Sequence, residues 1–174
     1  MLKIRPFEKR IDEEIYVRIY NSAFLDYDDI RSVTLQEVKT LEDAPSLNLD
    51  GFLIAEWNGK TAGMVQALVD KLREEKGGFI QSLAVLPEFR HKGIAKKLVS
   101  EAISSLKKRG MQTACAWAQT DRLACVHMYE SFSFKCVRGT SLMKASLTRI
   151  PNIEVNTEVS LREAQPRRPR YRFD

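Results

Sequence analysis

Between Phe79 and Gly110 the chain runs from an apolar stretch through Pro87 into a basic turn, Arg90-His91-Lys92, and then into a long amphipathic segment. This junction restricts the fold more than any other feature. Phe79–Leu86 has strand character, and Pro87 stops it. Ile94, Leu98, Val99, Ala102, Ile103 and Leu106 then recur at helical spacing, and Gly110 suits the position just past a helix end. Thr113–Trp117 follows as a short apolar strand, expected to be buried. A strand, a helix and a second strand in succession form a crossover unit, so part of the sheet is parallel.

The remaining segments build around that unit. LKIRPF at 2–7 alternates as a first strand would, with Pro6 ending it. Ile11, Ile15, Ile19 and Ala23 recur every four residues and place an apolar stripe on a helix. Thr34 and Glu37 form a capping-box pattern ahead of a second helix whose inner face is Leu35, Val38 and Leu41. Phe52–Trp57 and Thr61–Val69 are strand-like runs joined at Asn58-Gly59, a hairpin signal. DKLREEKGG at 70–78 reads as a charged turn, Asp121–Phe132 as a helix, and Phe134–Leu147 as two strands around Gly139. The expected fold is therefore α/β, with a mixed, mostly antiparallel sheet flanked by helices. The domain is expected over 1–150, with 151–174 a basic C-terminal extension that forms an extra strand, a remnant of a second module or a disordered tail.

Composition excludes several classes of function. The net charge is +5, but five arginines between 160 and 174 stand against Glu163 and Asp174, which leaves +2 for residues 1–159. The body therefore requires no polyanionic partner, and nucleic acid is not expected. No apolar run reaches the ~18 residues of a membrane span. The first ten residues carry charges where a signal peptide needs an apolar stretch, so secretion is not expected. Cys115, Cys125 and Cys136 include no CxxC pair, which argues against a disulfide scaffold or a zinc ribbon. They are expected to be small buried hydrophobes of a cytoplasmic protein, with Trp57 and Trp117 also in the core.

The chemistry is concentrated in SLAVLPEFRHKGIA, Ser82–Ala95. The first turn of a helix leaves four N–H groups unpaired and carries partial positive charge, which suits a pyrophosphate. Gly93 lets backbone approach a ligand closely, and Arg90 and Lys92 add charge beside it. Arg-x-x-Gly-x-Ala after a strand carrying Leu-x-Val-x-Pro resembles the acetyl-CoA-binding signature of the GNAT superfamily of N-acetyltransferases, and the order of elements over roughly 1–147 resembles theirs too.

That resemblance implies acetyl-CoA as co-substrate, no metal, and a fourth and fifth strand that splay apart around the pantetheine arm. Backbone groups of the Leu83-Ala84-Val85 segment would pair with its amides. The N–H groups of Arg90, His91, Lys92, Gly93, Ile94 and Ala95 would take the pyrophosphate. Asp121–Phe134 also resembles the family's Asn-x-x-Ala-x-x-x-Tyr-x-x-x-Gly-Phe, with Tyr129 and Phe134 matching, and Arg122, Cys125 and Ser133 standing for Asn, Ala and Gly. By that analogy Tyr129 would donate to the CoA sulfur. A phenol near ~10 and a thiol near ~8.5 make full proton transfer uphill by roughly 2 kcal/mol, so its help is to stabilise developing charge.

Where relatives often place an acid on the fourth strand, this chain has Gln81 and Ser82. Glu56, Glu74, Glu75 and His127 are the other candidates for a base, acting through water. Deprotonating a lysine near ~10.4 costs roughly 4–5 kcal/mol at pH 7, whereas an α-amine near ~7.7–8.0 costs only about 1 kcal/mol. The expected reaction is thus direct attack of a primary amine on the thioester, with a protein N-terminus the best-matched acceptor. The alternative is a catalytically inactive acyl-CoA-binding sensor, suggested by Gln81, Arg122 and Ser133.

Overall fold

The computed structural model describes residues 1–27, 30–42, 49–69, 76–137 and 139. Among the described residues, five strands form one sheet in the order β1 (Leu2–Pro6), β2 (Phe52–Trp57), β3 (Lys60–Val69), β4 (Gly77–Val85) and β5 (Thr113–Ala116). The first three junctions are antiparallel and β4–β5 is parallel. The helices are α1 (Glu13–Ala23), α2 (Leu35–Glu42), α3 (Ile94–Lys108) and α4 (Leu123–Glu130). The sheet is mixed, mostly antiparallel and flanked by helices, as the pattern of apolar runs requires.

Local chemistry accounts for most element boundaries. Asn58 and Gly59 both have positive φ, 51° and 77°, the geometry of a tight hairpin turn whose twist matches the strands it joins. The Thr34–Glu37 capping box is formed in both directions: Thr34 N–H donates to Glu37 Oε2 at 2.9 Å and Glu37 N–H donates to Thr34 Oγ1 at 3.2 Å. Arg31 and Thr34 together push the Glu37 carboxyl down to about 2. Gly78 lets α3 lie close on the sheet, because a Cβ there would stand 2.5 Å from a Leu106 methyl.

Two apolar layers sandwich the sheet. On one face Ile94, Leu98, Val99, Ala102 and Leu106 of α3 pack with Ala55, Val65, Ala67, Ile80, Met128 and Tyr129. On the other, Ile19 of α1 packs with Phe7, Phe52, Ile54, Met64, Ala84 and Leu86. Ile54 against Ala55 and Met64 against Val65 show the period-two alternation of strands buried on both faces.

Four expectations need correction. Ile11 is 67% exposed, because α1 starts only at Glu13 and left-handed Arg10 turns the preceding residues away from the helix stripe. Thr113–Ala116 is not buried throughout: Thr113 and Cys115 are exposed, since among the described residues β5 lies at one end of the strand order and only alternate side chains join the α3-side core. Trp117 is 59% exposed just past that strand, whereas Trp57 packs against the α3-side core as expected. Residues 134–137 form no strand, and Cys136 there is exposed. The strands expected over 140–147, the Leu41 side chain, the 70–75 turn and the 151–174 extension lie outside the described residues.

A buried ion pair ties α1 to the sheet. Arg5 on β1 grips Asp12, immediately before α1, through Nη1 at 2.5 Å and Nη2 at 2.8 Å, and its Nε donates to Glu56 at 2.7 Å. Asp12 also accepts the Glu8 N–H, and its side chain is fully buried. The Arg5 guanidinium holds the Asp12 carboxyl below its ordinary value. Asp12→Ala should therefore cost about 3 kcal/mol in urea unfolding at pH 7, the effect of stranding one partner of a buried pair. A carboxyl depressed in the folded state stabilises above its unfolded pKa of ~3.9 and loses that contribution as pH falls through the folded value. The gap between wild type and Asp12→Ala should accordingly close below about pH 4.

Candidate functional site

The site begins with a defect in β4. From Met64↔Ala84 to Gln66↔Gln81 the register advances two residues on β3 and three on β4, so β4 carries one extra residue at Ser82–Leu83. Ser82 is in the left-handed region at φ 50°. The bulge exchanges the strand's faces: Ile80 lies in the α3-side core and Ala84 in the α1-side core, though four residues apart they would otherwise share a face.

β4 and β5 pair only from Gly77↔Thr113 to Ile80↔Ala116, and β4 continues through Val85 without β5 beside it. β5 ends at Ala116, so the Leu83–Val85 stretch of β4 has no β5 partner along that edge. Leu83 and Val85 turn their side chains toward the α3-side core, and Ala84 toward the other.

At the end of β4, Pro87–Phe89 forms a short 3₁₀ turn and Arg90–Gly93 a tight loop. Gly93 is the N-cap of α3 at φ 76°, and its carbonyl accepts the Lys97 N–H at 3.1 Å. His91 is also left-handed at φ 61°, a second turn residue that its sequence does not announce. Together they turn the chain into the start of α3, whose first N–H groups have no partner within the helix. A Cβ built on Gly93 meets nothing within 4 Å, so only the backbone conformation and whatever binds there require glycine. Arg90 Nε donates to the Val85 carbonyl at 3.3 Å, and Lys92 Nζ donates to the Glu88 carbonyl at 2.9 Å. Both side chains thus fold back on the loop and hold it while keeping their charge at the helix start. Ile94 is fully buried and anchors that helix start, with Ala95 half-buried beside it.

Tyr129 lies on α4, buried in the α3-side core, with its ring 5.3 Å from Phe134. Burial, with Cys125 adding to it, raises its phenol well above the ordinary value, so it holds its proton and can donate it in a hydrogen bond. Burial likewise raises the Cys125 thiol, which suits a packing residue and not a nucleophile. Ser133 takes φ 65°, the conformation a glycine at that position would adopt without strain.

Opposite, α1 presents an aromatic series: Tyr16 and Tyr20 stack at 5.7 Å, Tyr20 and Phe24 lie 4.8 Å apart, and Phe24 and Tyr27 5.2 Å. A shallow cleft beside it is lined by Tyr20, Phe24, Ile30 and Arg31. Asn21 pins the chain after α1 by donating to the Val33 carbonyl at 2.9 Å and accepting its N–H at 2.8 Å. Under this series a polar network crosses the bulge. Gln66 Nε2 donates to the Tyr16 hydroxyl at 3.2 Å, while Gln66 Oε1 accepts from Gln81 Nε2 at 2.9 Å and Ser82 Oγ at 3.2 Å. Sequence reasoning missed Tyr16 and Gln66, although a glutamine inside an apolar β3 run was the available signal.

The candidate bases fare differently. Glu56 is committed to Arg5, His127 is exposed on α4, and Glu74 and Glu75 lie outside the described residues. Among the described residues no three or more His, Cys, Asp or Glu side chains cluster to hold a metal ion. No described helix is long and apolar enough to cross a membrane.

The fold is shared with solved acetyltransferases. The ribosomal-protein-S18-alanine N-acetyltransferase of Escherichia coli superposes with a TM-score of 0.62 at 20% identity, over 78% of each chain. AAC(6')-Iy, solved with the bisubstrate analog CoA-S-monomethyl-acetylneamine, gives 0.64 at 16%, over 84% of this chain and 99% of that one. In sequence, the family model "Acetyltransferase (GNAT) family" matches residues 13–134, and the chain belongs to that family. Mycothiol acetyltransferase of Thermobispora bispora is 29% identical over 136 residues, which are 76% of this chain and 46% of the relative. The chain thus spans less than half the length of that relative.

The network at the bulge yields a stability prediction. Gln66→Leu removes the acceptor of two side-chain donors and the donor to Tyr16 in a buried setting, and should cost about 1–3 kcal/mol in thermal or urea unfolding. Gln66→Glu, which keeps the acceptor for Gln81 and Ser82 and lets the Tyr16 hydroxyl donate to its second oxygen, should retain more of the network than Gln66→Leu.

Proposed function

We propose that the chain is an acetyl-CoA-dependent N-acetyltransferase that transfers the acetyl group to a primary amine by direct attack on the thioester. The observation that carries this reading is the end of β4 running on without a β5 partner, directly upstream of a helix start capped by left-handed Gly93. Strand backbone without a β5 partner suits an amide-bearing arm, and the first N–H groups of a helix suit a pyrophosphate. The residues fit the co-substrate. The Leu83-Ala84-Val85 backbone would pair with the pantetheine amides. The N–H groups from Arg90 through Ala95, with the charges of Arg90, His91 and Lys92 near, would hold the phosphates.

Tyr129 would act as hydrogen-bond donor to the sulfur as it leaves. Its raised phenol makes outright proton transfer to a thiolate more uphill than for an ordinary tyrosine, so stabilising developing charge is its proposed contribution. Gln81 and Ser82 would orient an amine or a water without removing its proton. An acceptor that is itself weakly basic, such as an α-amine, suits that arrangement best. The mycothiol and ribosomal-protein-alanine enzymes among the similar proteins act on different acceptors, so the choice rests on the amine's chemistry.

Two measurements test the reading. Gly93→Glu should weaken acetyl-CoA binding by at least about tenfold in calorimetry, or ~1.4 kcal/mol, by repelling phosphate at the helix start. Unchanged affinity in the folded variant would remove the phosphate assignment. Tyr129→Phe should retain acetyl-CoA affinity while the single-turnover rate falls about 10²–10³-fold, the usual cost of one donor to developing charge. A wild-type rate in folded Tyr129→Phe excludes that role. Tight binding without turnover across peptide N-termini, lysines and small amines would favour the sensor reading.

A further inference from the structure

We propose that Arg122 is a positioning residue that straps the end of the α1 layer to the start of α4, fixing the acceptor-side wall beside the end of β4. The inference rests on the acetyl-transfer reading above. Arg122 Nη2 donates to the Asp26 carbonyl at 2.8 Å, and its guanidinium lies 4.6 Å from the centre of the Tyr27 ring. These contacts join residues 96 positions apart. They also join opposite faces of the sheet: α4 contributes Met128 and Tyr129 to the α3-side core, whereas Tyr20 and Phe24 pack on the α1-side core.

Both ends of the strap are held. The Arg122 carbonyl accepts the N–H groups of Cys125 at 2.8 Å and Val126 at 3.2 Å, which fixes it as the N-cap of α4. Tyr27 N–H donates to the Phe24 carbonyl at 3.1 Å, and the Tyr27 ring continues the aromatic series of α1. An arginine merely solvated at the surface keeps its donors in water. Here Nε is sequestered and meets no acceptor among the described residues. That cost is tolerated only if the other contacts of the guanidinium offset it. A planar guanidinium can stack on a ring while donating in its own plane, which an ammonium cannot reproduce. Arg90 of the loop before α3 acts electrostatically on Tyr27 as well. Tyr129 lies seven residues after Arg122 on the same helix, so a shift at the strap changes the spacing between acceptor wall and sulfur donor.

Arg122→Ala, Arg122→Lys and Tyr27→Leu in the full chain test this. Calorimetry would read acetyl-CoA binding, steady-state kinetics the amine that wild type accepts best, and amide exchange the protection of residues 24–27. Arg122→Ala should leave acetyl-CoA affinity within about twofold, raise the amine KM about tenfold and change kcat less than about threefold. Exchange at 24–27 should accelerate. Arg122→Lys should restore less than about half of the lost KM effect, because it keeps charge without the stacked plane. Guanidinium ion at low millimolar concentration should partly restore KM in Arg122→Ala. An unchanged amine KM in folded Arg122→Ala, or full rescue by lysine, overturns the proposal. If Arg122→Ala fails to fold, Tyr27→Leu removes the ring while keeping the arginine, and an unchanged KM there overturns it equally. A wild type that acetylates no amine defeats the acetyl-transfer reading itself. In that case unchanged exchange at 24–27 in Arg122→Ala separately removes the strap.

Discussion

The extra residue at Ser82–Leu83 is the constraint on which the rest of the site depends. A regular β4 would keep Ile80 and Ala84 on one face and could continue beside a longer β5. The bulge instead places them in opposite cores and bends the strand, and the β4–β5 pairing stops at Ile80 and Ala116. Left-handed φ at a serine is strained, so neighbouring contacts must hold it. Gln66 does so by accepting from both Gln81 and Ser82 while donating to Tyr16. One buried amide therefore connects the strand defect and the helix that covers it.

The loop after β4 acquires its precision from packing on either side of it. Its two left-handed residues, His91 and Gly93, reverse the chain within a few residues. Neither is buried, so the loop is positioned by what it connects: Leu86 in one core and Ile94, Leu98 and Val99 in the other. Gly78 lets Leu106 seat α3 on the sheet, and Arg5 with Asp12 fixes where α1 begins. The two walls of the site are in this way referenced to the same sheet, which is what a transfer between two bound molecules demands of its scaffold.

Much of the frame was legible in the sequence because periodicity reports burial. The α3 stripe, the Asn58-Gly59 hairpin and the Thr34–Glu37 cap all form where residue chemistry placed them. Ile11 misled because a four-residue spacing continues past a helix start that Asp12 and Arg10 set. Thr113–Trp117 misled because a run of small apolar residues is compatible with a strand that exposes alternate side chains as well as with a buried one. The bulge itself carried no signal, since Ser82 is not a residue type that advertises positive φ. Arg122 was visible only as a departure from a motif. Its contact with Asp26 and Tyr27 spans most of the chain, and local patterns carry no record of such distances.

The chemistry that remains follows from what each side of the site can offer a proton. Tyr129 is held protonated by burial and can donate a hydrogen bond. Glu56, the acid nearest in type to a base, is spent on Arg5. Gln81 and Ser82 would, under the proposed reading, align a nucleophile without competing for its proton. Under the proposed reading, the reactivity of the site is then set largely by how readily the acceptor amine loses a proton to water. An acceptor about two pK units less basic than another gains roughly 2.7 kcal/mol in that step. That difference is comparable to the contribution expected of a single well-placed donor. Selection among amines in such a site can therefore come from acidity as much as from contacts.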